Sequence, residues 1–478
     1  MQPLLILNIV GLTPRLLGSY TPRLSAFAAR GALRHMSSAA PGLTCTVQAN
    51  LLTGSTPQQH GIVGNGWYFR DTAEIGFWRQ SNRLVAGEKI WDAGKQRDPR
   101  FSCANLCWWY NMAASHDVGL TPRPIYKADG QKLPDCYTKP AAWRDELQWE
   151  LGPFPLFQFW GPATSIASSR WIAGAARLAL RTYDPTLSLV YLPHLDYDLQ
   201  RHGPDPSHPA VRRSLGEIDR VAGELIAHAE AAGRRVLLLS EYGITAVDRP
   251  VHLNRHLREA GLLAVRNEDG GELLDPIASD AFAVADHQIA HVYVADAARI
   301  DAVQRLLAAV PGVEAVLRGP QRARLGLDHA RSGELVVLAD ARSWFSYYYW
   351  LDDRCAPDFA RTVDIHRKPG YDPAELFFDR QLPYPKLTVL HRLLQRKLGL
   401  RALMDVIGLD ATLVKGSHGR PPSHPDDGPL IIADRPDALP AGIIAAETVK
   451  ALALDMIFAP AAQRPQAMPE RLAEAVES

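Results

Sequence analysis

Cysteine is scarce in this 478-residue chain: there are five, at 45, 103, 107, 136 and 355. An odd, sparse set without repeated spacing argues against a disulfide framework and fits a reducing compartment, so a cytoplasmic location is expected. Cys103 and Cys107 lack the further Cys or His neighbours that a structural zinc site needs. An excess of charge is missing too, since Lys plus Arg and Asp plus Glu stand at 52 each. No global field then favours nucleic acid or an anionic membrane; neither partner is expected, and a charged ligand must be recognised locally. No run approaches the ~18 apolar residues of a membrane span. The opening MQPLLILNIVGLTPR lacks a basic leader and a small-residue cleavage site, and reads as a first strand. There is no internal repeat, and oligomeric state leaves no mark.

Short apolar runs are present instead, each leading into polar or Gly-containing sequence. They are Leu4–Val10, Leu187–Leu192, Val236–Leu239, Glu334–Leu338 and Leu430–Ala433. Continuous runs of this kind suit a parallel sheet covered on both faces. Helical periodicity lies between them, at Ile172–Arg181, Ser214–Ala231 and Thr388–Leu398. Strands alternating with helices predict an α/β fold. Residues 251–330 read differently, as a helix, three strands and a second helix, and are expected to form an inserted α+β subdomain. The core then comprises 1–250 and 331–478. The Ala/Pro-rich tail after Pro460 is expected to be partly mobile.

Functional groups of open α/β sheets collect at the carboxyl ends of the strands. Asp196, Asp198 and His202 follow the second run, Glu241 and Tyr242 follow the third, and His418 precedes the last. Carboxylates and an imidazole at one edge suit Zn²⁺ or Mn²⁺, although strand-end acids also cap helices. The segment Pro41–Phe69 places Thr44 before a short predicted helix, Val47–Leu52. A hydroxyl there is either an N-cap or a nucleophile facing an anion held at the helix N-terminus, and composition does not choose.

Thr44 followed by Thr53-Gly54, Pro57, His60-Gly61-Ile62 and Asn65 resembles the phosphodiesterase signature of the alkaline phosphatase superfamily. The branch is that of the nucleotide pyrophosphatases/phosphodiesterases, and phosphonoacetate hydrolases share the pattern. The resemblance implies a three-layer α/β/α fold and a metal-dependent hydrolase of a phosphodiester, pyrophosphate, phosphomonoester or phosphonate bond in a small molecule. It makes Thr44 the metal-bound nucleophile and Asn65 a hydrogen-bond partner of a phosphoryl oxygen. The family's two-zinc set carries over only in part: Asp196, Glu241 and His418 match, with Thr44, whereas Val10, Gln200 and Tyr242 stand where ligands are expected. One divalent ion, zinc or manganese, is therefore favoured over two. The alternative is a weakened member acting as a binding or scaffold protein.

Several reserves remain. Asp198 and His202 could form a shifted site, and Asn8 could supply an oxygen. Asp286-His287 and Asp364-x-His366 are the next metal candidates. His252/His256 and His287/His291 are spaced as ligand pairs but are weighted toward packing or surface roles. Arg367 and Lys368 could meet phosphate, though a solvated charged loop is the plainer reading. The aromatic runs Trp344–Trp350 and Cys107–Tyr110 are weighted toward core.

Overall fold

Leu4–Ile9 is buried at all six positions, so both its faces are covered, and it forms the middle of a nine-stranded sheet. The computed structural model describes residues 1–37, 41–128 and 131–458; the tail after Pro460 lies outside the described residues. Leu4–Ile9 pairs in parallel with Leu187–Leu192 and with Arg235–Leu239. Cys103–Leu106 and Val118–Pro122 continue the parallel run, and Cys136–Lys139 closes that edge antiparallel. On the other side Leu430–Ala433 enters antiparallel, followed by Ala32–Ser37 and Ile444–Ala445. Leu4, Leu5, Leu7 and Ile9 are 0% exposed, so truncating one to Ala would cost about 2–5 kcal/mol.

Helices Pro22–Arg30, Ile166–Tyr183 and Pro209–Ala231 pack together as one layer. Helices Thr44–Thr53, Ile90–Arg97 and Val449–Phe458 form the other, giving the expected α/β/α sandwich. Pro209–Ala231 shows how sequence sets such a helix. His208 caps it by accepting from Ala210 N–H, Pro209 begins it, and Val211, Leu215, Ile218, Ala222 and Leu225 bury one stripe.

A second sheet of four antiparallel strands runs in the order Ala281–Asp286, Ile289–Val294, Leu335–Ala339, Val313–Leu317. Its third strand is the apolar run at 334–338, which the sequence reading gave to the parallel sheet and to the core beyond 330. The run reports burial on both faces and carries no information on which sheet supplies the neighbours. Trp344, Phe345, Tyr347, Tyr348, Tyr349 and Trp350 fill the core beside this sheet, as their weighting toward packing anticipated.

Candidate active site

The helix Thr44–Thr53 is buried along its whole length and stops at Gly54, whose φ of 68° allows the left-handed C-cap. Its N-cap is Leu43, and no side chain caps it. Thr44 is thus the first helical residue, and its hydroxyl does not serve as a cap. Thr44 Oγ1 lies 3.1 Å from Tyr242 Oη, and Tyr242 in turn donates to Asp196 Oδ1 at 3.3 Å. Gln200 donates to the other Asp196 oxygen at 2.6 Å and accepts from Tyr371 Oη at 3.0 Å.

The parallel strands deliver these groups. Glu241 and Tyr242 follow Arg235–Leu239, while Asp196 and Gln200 sit one turn apart on helix His194–His202 after Leu187–Leu192. Gly11, at φ 79°, bridges to Gly243 and lies so close to Leu199 that a Cβ would come within 3.2 Å of its Cδ1. Glu241 Oε1 accepts from Asn8 at 2.6 Å and from Gln48 at 2.5 Å, and Gln48 Oε1 takes the Trp109 N–H. Glu241 Oε2 is buried without a hydrogen-bond partner among the described residues.

His418 Nδ1 donates to Gly42 O at 2.8 Å, which leaves the lone pair on Nε2. Its ring lies between Tyr242 and His287, 3.6 Å from each, and His287 stacks on Tyr371 at 3.7 Å. The hairpin turn between the first two strands of the second sheet brings in His287, beside Asp286. Asp286 accepts from the backbone and side-chain N–H groups of Asn65 at 2.8 and 3.1 Å, and Asn65 Oδ1 takes the Cys45 N–H.

Thr44, Asp196, Glu241 and His418 therefore converge, all under 7% exposed. Asn65 stands at the helix N-terminus beside them, its amide engaged by Asp286. Burial pushes Asp196 up to about 7, with Gln200 and Tyr242 opposing, and Glu241 up to about 8 against Gln48, Asn8 and Thr44. Burial likewise raises Asp286 to about 7 and lowers His418 to about 3.

The shifted pair is not assembled. Asp198 bonds Arg201 at 3.0 Å and Ser214 at 2.5 Å, and His202 stacks on His208. His366 approaches Phe77 O and Asp364 pairs with Lys132, away from Thr44. His252 and His291 bond Ser346 and Val63 O. Lys368 is neither solvated nor free for phosphate: it is buried between Asp372 and Glu375. Gln48 and Tyr371 were missed, and nothing in their local sequence marks them. Asp286-His287 had been picked out only as a reserve.

The metal set implied by resemblance does not fit this arrangement. Among the described residues no group of three His, Cys, Asp or Glu is placed to hold a cation. Both Asp196 oxygens and Glu241 Oε1 are taken by neutral donors, and Val10 is apolar.

The layered, mostly parallel sheet with helices on both faces is an alkaline-phosphatase-like fold. The sequence profile of the type I phosphodiesterase / nucleotide pyrophosphatase family matches residues 4–372, and the chain belongs to that family of hydrolases. Phosphonoacetate hydrolase from Sinorhizobium meliloti 1021, solved with phosphonoformate, is similar over 95% of this chain and 96% of its own, at 16% identity and a TM-score of 0.62. Murine ectonucleotide pyrophosphatase / phosphodiesterase 5 is similar over 98% of both chains, at 14% identity and a TM-score of 0.57. An inactive variant of the murine protein, in complex with AMP, covers the chain equally. No curated protein matches the sequence. No helix among the described residues is long and apolar enough to cross a membrane.

Proposed function

We propose that the chain hydrolyses a phosphodiester, pyrophosphate, phosphomonoester or phosphonate bond of a small molecule, with Thr44 as nucleophile. The observation that carries this reading is the chain Thr44–Tyr242–Asp196 at 3.1 and 3.3 Å. As Thr44 Oγ1 bonds to phosphorus and the leaving group departs with its electron pair, the Thr44 proton passes to Tyr242 while the Tyr242 proton passes to Asp196. Asp196, raised to about 7, is matched to that task near neutrality. The N-terminus of the Thr44 helix offers backbone N–H groups and its positive end to the phosphoryl oxygens, with Asn65 alongside. Water then attacks phosphorus as the Oγ1–phosphorus bond breaks; the Asp196 proton returns through Tyr242 to Thr44 Oγ1, and the proton released by the water neutralises the departed leaving group. Ligands of the similar proteins, phosphonoformate and AMP, indicate phosphonates and nucleotides as first substrates to try.

With bis(p-nitrophenyl) phosphate, Thr44→Ala is expected to abolish turnover and Thr44→Ser to retain part of it. Undiminished turnover by Thr44→Ala refutes the nucleophile. The rate should climb with pH through about 7 as Asp196 loses its proton. A second reading, a binding protein with weakened chemistry, is favoured by the burial of Thr44, which is 3% exposed. Single-ion chemistry on Thr44, Asp196, Glu241 and His418, with zinc or manganese, has one observation in its favour, the uncommitted Glu241 Oε2. It would require displacing the Tyr242 hydroxyl. Stoichiometric metal in protein purified without chelator would establish it.

A further inference from the structure

Eight of the eighteen large apolar side chains exposed among the described residues crowd into one stretch, Tyr384 to Leu403. Its helix, Pro385–Lys397, has no buried residue. The excursion is pinched off at its base, where Phe378 bridges Ile407 and Asp379 N–H donates to Val406 O at 2.8 Å. Arg392 pairs with Asp405 at 3.0 Å and Arg396 donates to Ala402 O at 2.9 Å, so this charged side faces the returning chain. Leu387, Leu390, Leu394 and Leu398 instead form a stripe about 80° wide at 100° per residue. They are 60, 52, 51 and 79% exposed. A surface helix ordinarily hides such a stripe; here the leucines face water while Arg392 and Arg396 turn toward the returning chain.

The excursion, residues 379–405, also holds six Lys or Arg against two acids, Asp379 and Asp405, in a chain whose totals balance at 52 and 52. Lys386 and Lys397 lie along one edge of the leucine stripe and have no ion-pair partner among the described residues. We propose that this excursion docks on the surface of an anionic lipid bilayer, with the leucines in the acyl boundary and the cations among the headgroups. Basic amphipathic helices bind in that plane through apolar area together with attraction to anionic lipid. The lysine stems can lie along the apolar surface while their heads reach phosphate. Tyr384, 68% exposed at the helix start, has the amphipathic ring that favours the headgroup level. At 13 residues the helix is too short to span. Pairing with a second copy would set two clusters of like charge against each other, which electrostatics opposes. The balanced total for the whole chain hides this local concentration.

Full-length protein should co-sediment with phosphatidylglycerol-containing vesicles at low salt, release at high salt, and stay in solution with phosphatidylcholine alone. Leu390→Glu/Leu394→Glu should abolish sedimentation without changing the thermal melt, because both sites are exposed. Lys386→Gln/Lys397→Gln/Arg401→Gln should weaken it roughly a hundredfold, at about five-fold per cation. The proposal is overturned by no sedimentation, or by equal binding to neutral vesicles. A dimer that the leucine variant dissolves, or binding of polyglutamate, in either case without vesicle binding, overturns it as well. Turnover by Thr44 plays no part in these readouts.

Discussion

Two clusters of buried acids meet the cost of burial by opposite means. Asp372 and Glu375 share one cation, Lys368, at 2.7 and 2.8 Å, and the side chains of all three are at most 3% exposed. Burial works against the Lys368 ammonium, yet these carboxylates hold it above its usual range. Asp196, Glu241 and Asp286 have no ammonium or guanidinium in ion-pairing distance among the described residues. Their partners are the neutral amides and hydroxyls of Gln200, Tyr242, Asn8, Gln48 and Asn65. Tyr371 joins the regions, three residues past Lys368 in sequence and bonded to Gln200. The lesson is one of availability. An ion triad locks its charges into structure, whereas acids held only by neutral donors titrate near neutrality, where they can take up a proton and return it.

Breaking the triad should have the largest effect on stability. Lys368→Met keeps most of the volume but strands Asp372 and Glu375 without their cation. Removing one partner of a buried pair costs about 3–5 kcal/mol, a large share of the ~5–15 kcal/mol that stabilises a typical domain. The urea midpoint should fall accordingly. A loss under about 1 kcal/mol would show that the triad is not a clamp.

Titration sharpens the contrast. Asp196 and Asp286 rise from 3.8 to about 7 and Glu241 from 4.5 to about 8, so between pH 4 and 8 the folded state binds more protons than the unfolded. With folded values above unfolded ones, their contribution is fully present below about pH 4. It declines as pH rises and is gone above about 8. The limiting slope is about 1.4 kcal/mol per pH unit for each acid. Denaturation midpoints should therefore drop from pH 5 to 8.5, and Glu241→Gln should flatten part of that fall. An unchanged slope in this variant would mean that Glu241 is ionised throughout.

The parts of this molecule that were readable from sequence are those where one segment carries its own signal. Leu4–Ile9 and Leu187–Leu192 announce strands because burial on both faces removes polar residues from the run. Asp196, Glu241 and His418 could be gathered because strand ends in such a sheet share one edge, and Thr44 through its resemblance to the family signature. What was hidden depends on elements meeting in space. The hairpin carrying Asp286 and His287 reaches the site from a second sheet, and Gln48 is distinguished only by what Glu241 and Trp109 need. Lys368 was misjudged because its turn-rich surroundings resemble a surface loop, although Asp372 and Glu375 lie four and seven residues on. The leucine spacing of Thr388–Leu398 gave the helix, but periodicity alone does not say whether its stripe is covered.

Tyr242→Phe makes the smallest structural change and tests the comparison most directly. It deletes one oxygen, leaving the ring to stack on His418 at its present 3.6 Å. The hydroxyl bonds both Thr44 and Asp196, each net bond being worth about 1 kcal/mol, so the melting temperature should fall by several degrees. The proton path from Thr44 to Asp196 is severed, however, and general-base assistance of this kind contributes roughly 10²–10⁴-fold. The variant should thus lose at least a hundredfold in kcat, with KM little changed, while Lys368→Met loses stability first. Added zinc should leave the wild-type melt in place, because the Tyr242 hydroxyl and Gln200 amide already occupy both Asp196 oxygens. If zinc instead stabilises the wild type and Tyr242→Phe retains its rate, a cation rather than a proton relay activates Thr44, and the site's acids would belong with the triad as charge-compensated groups.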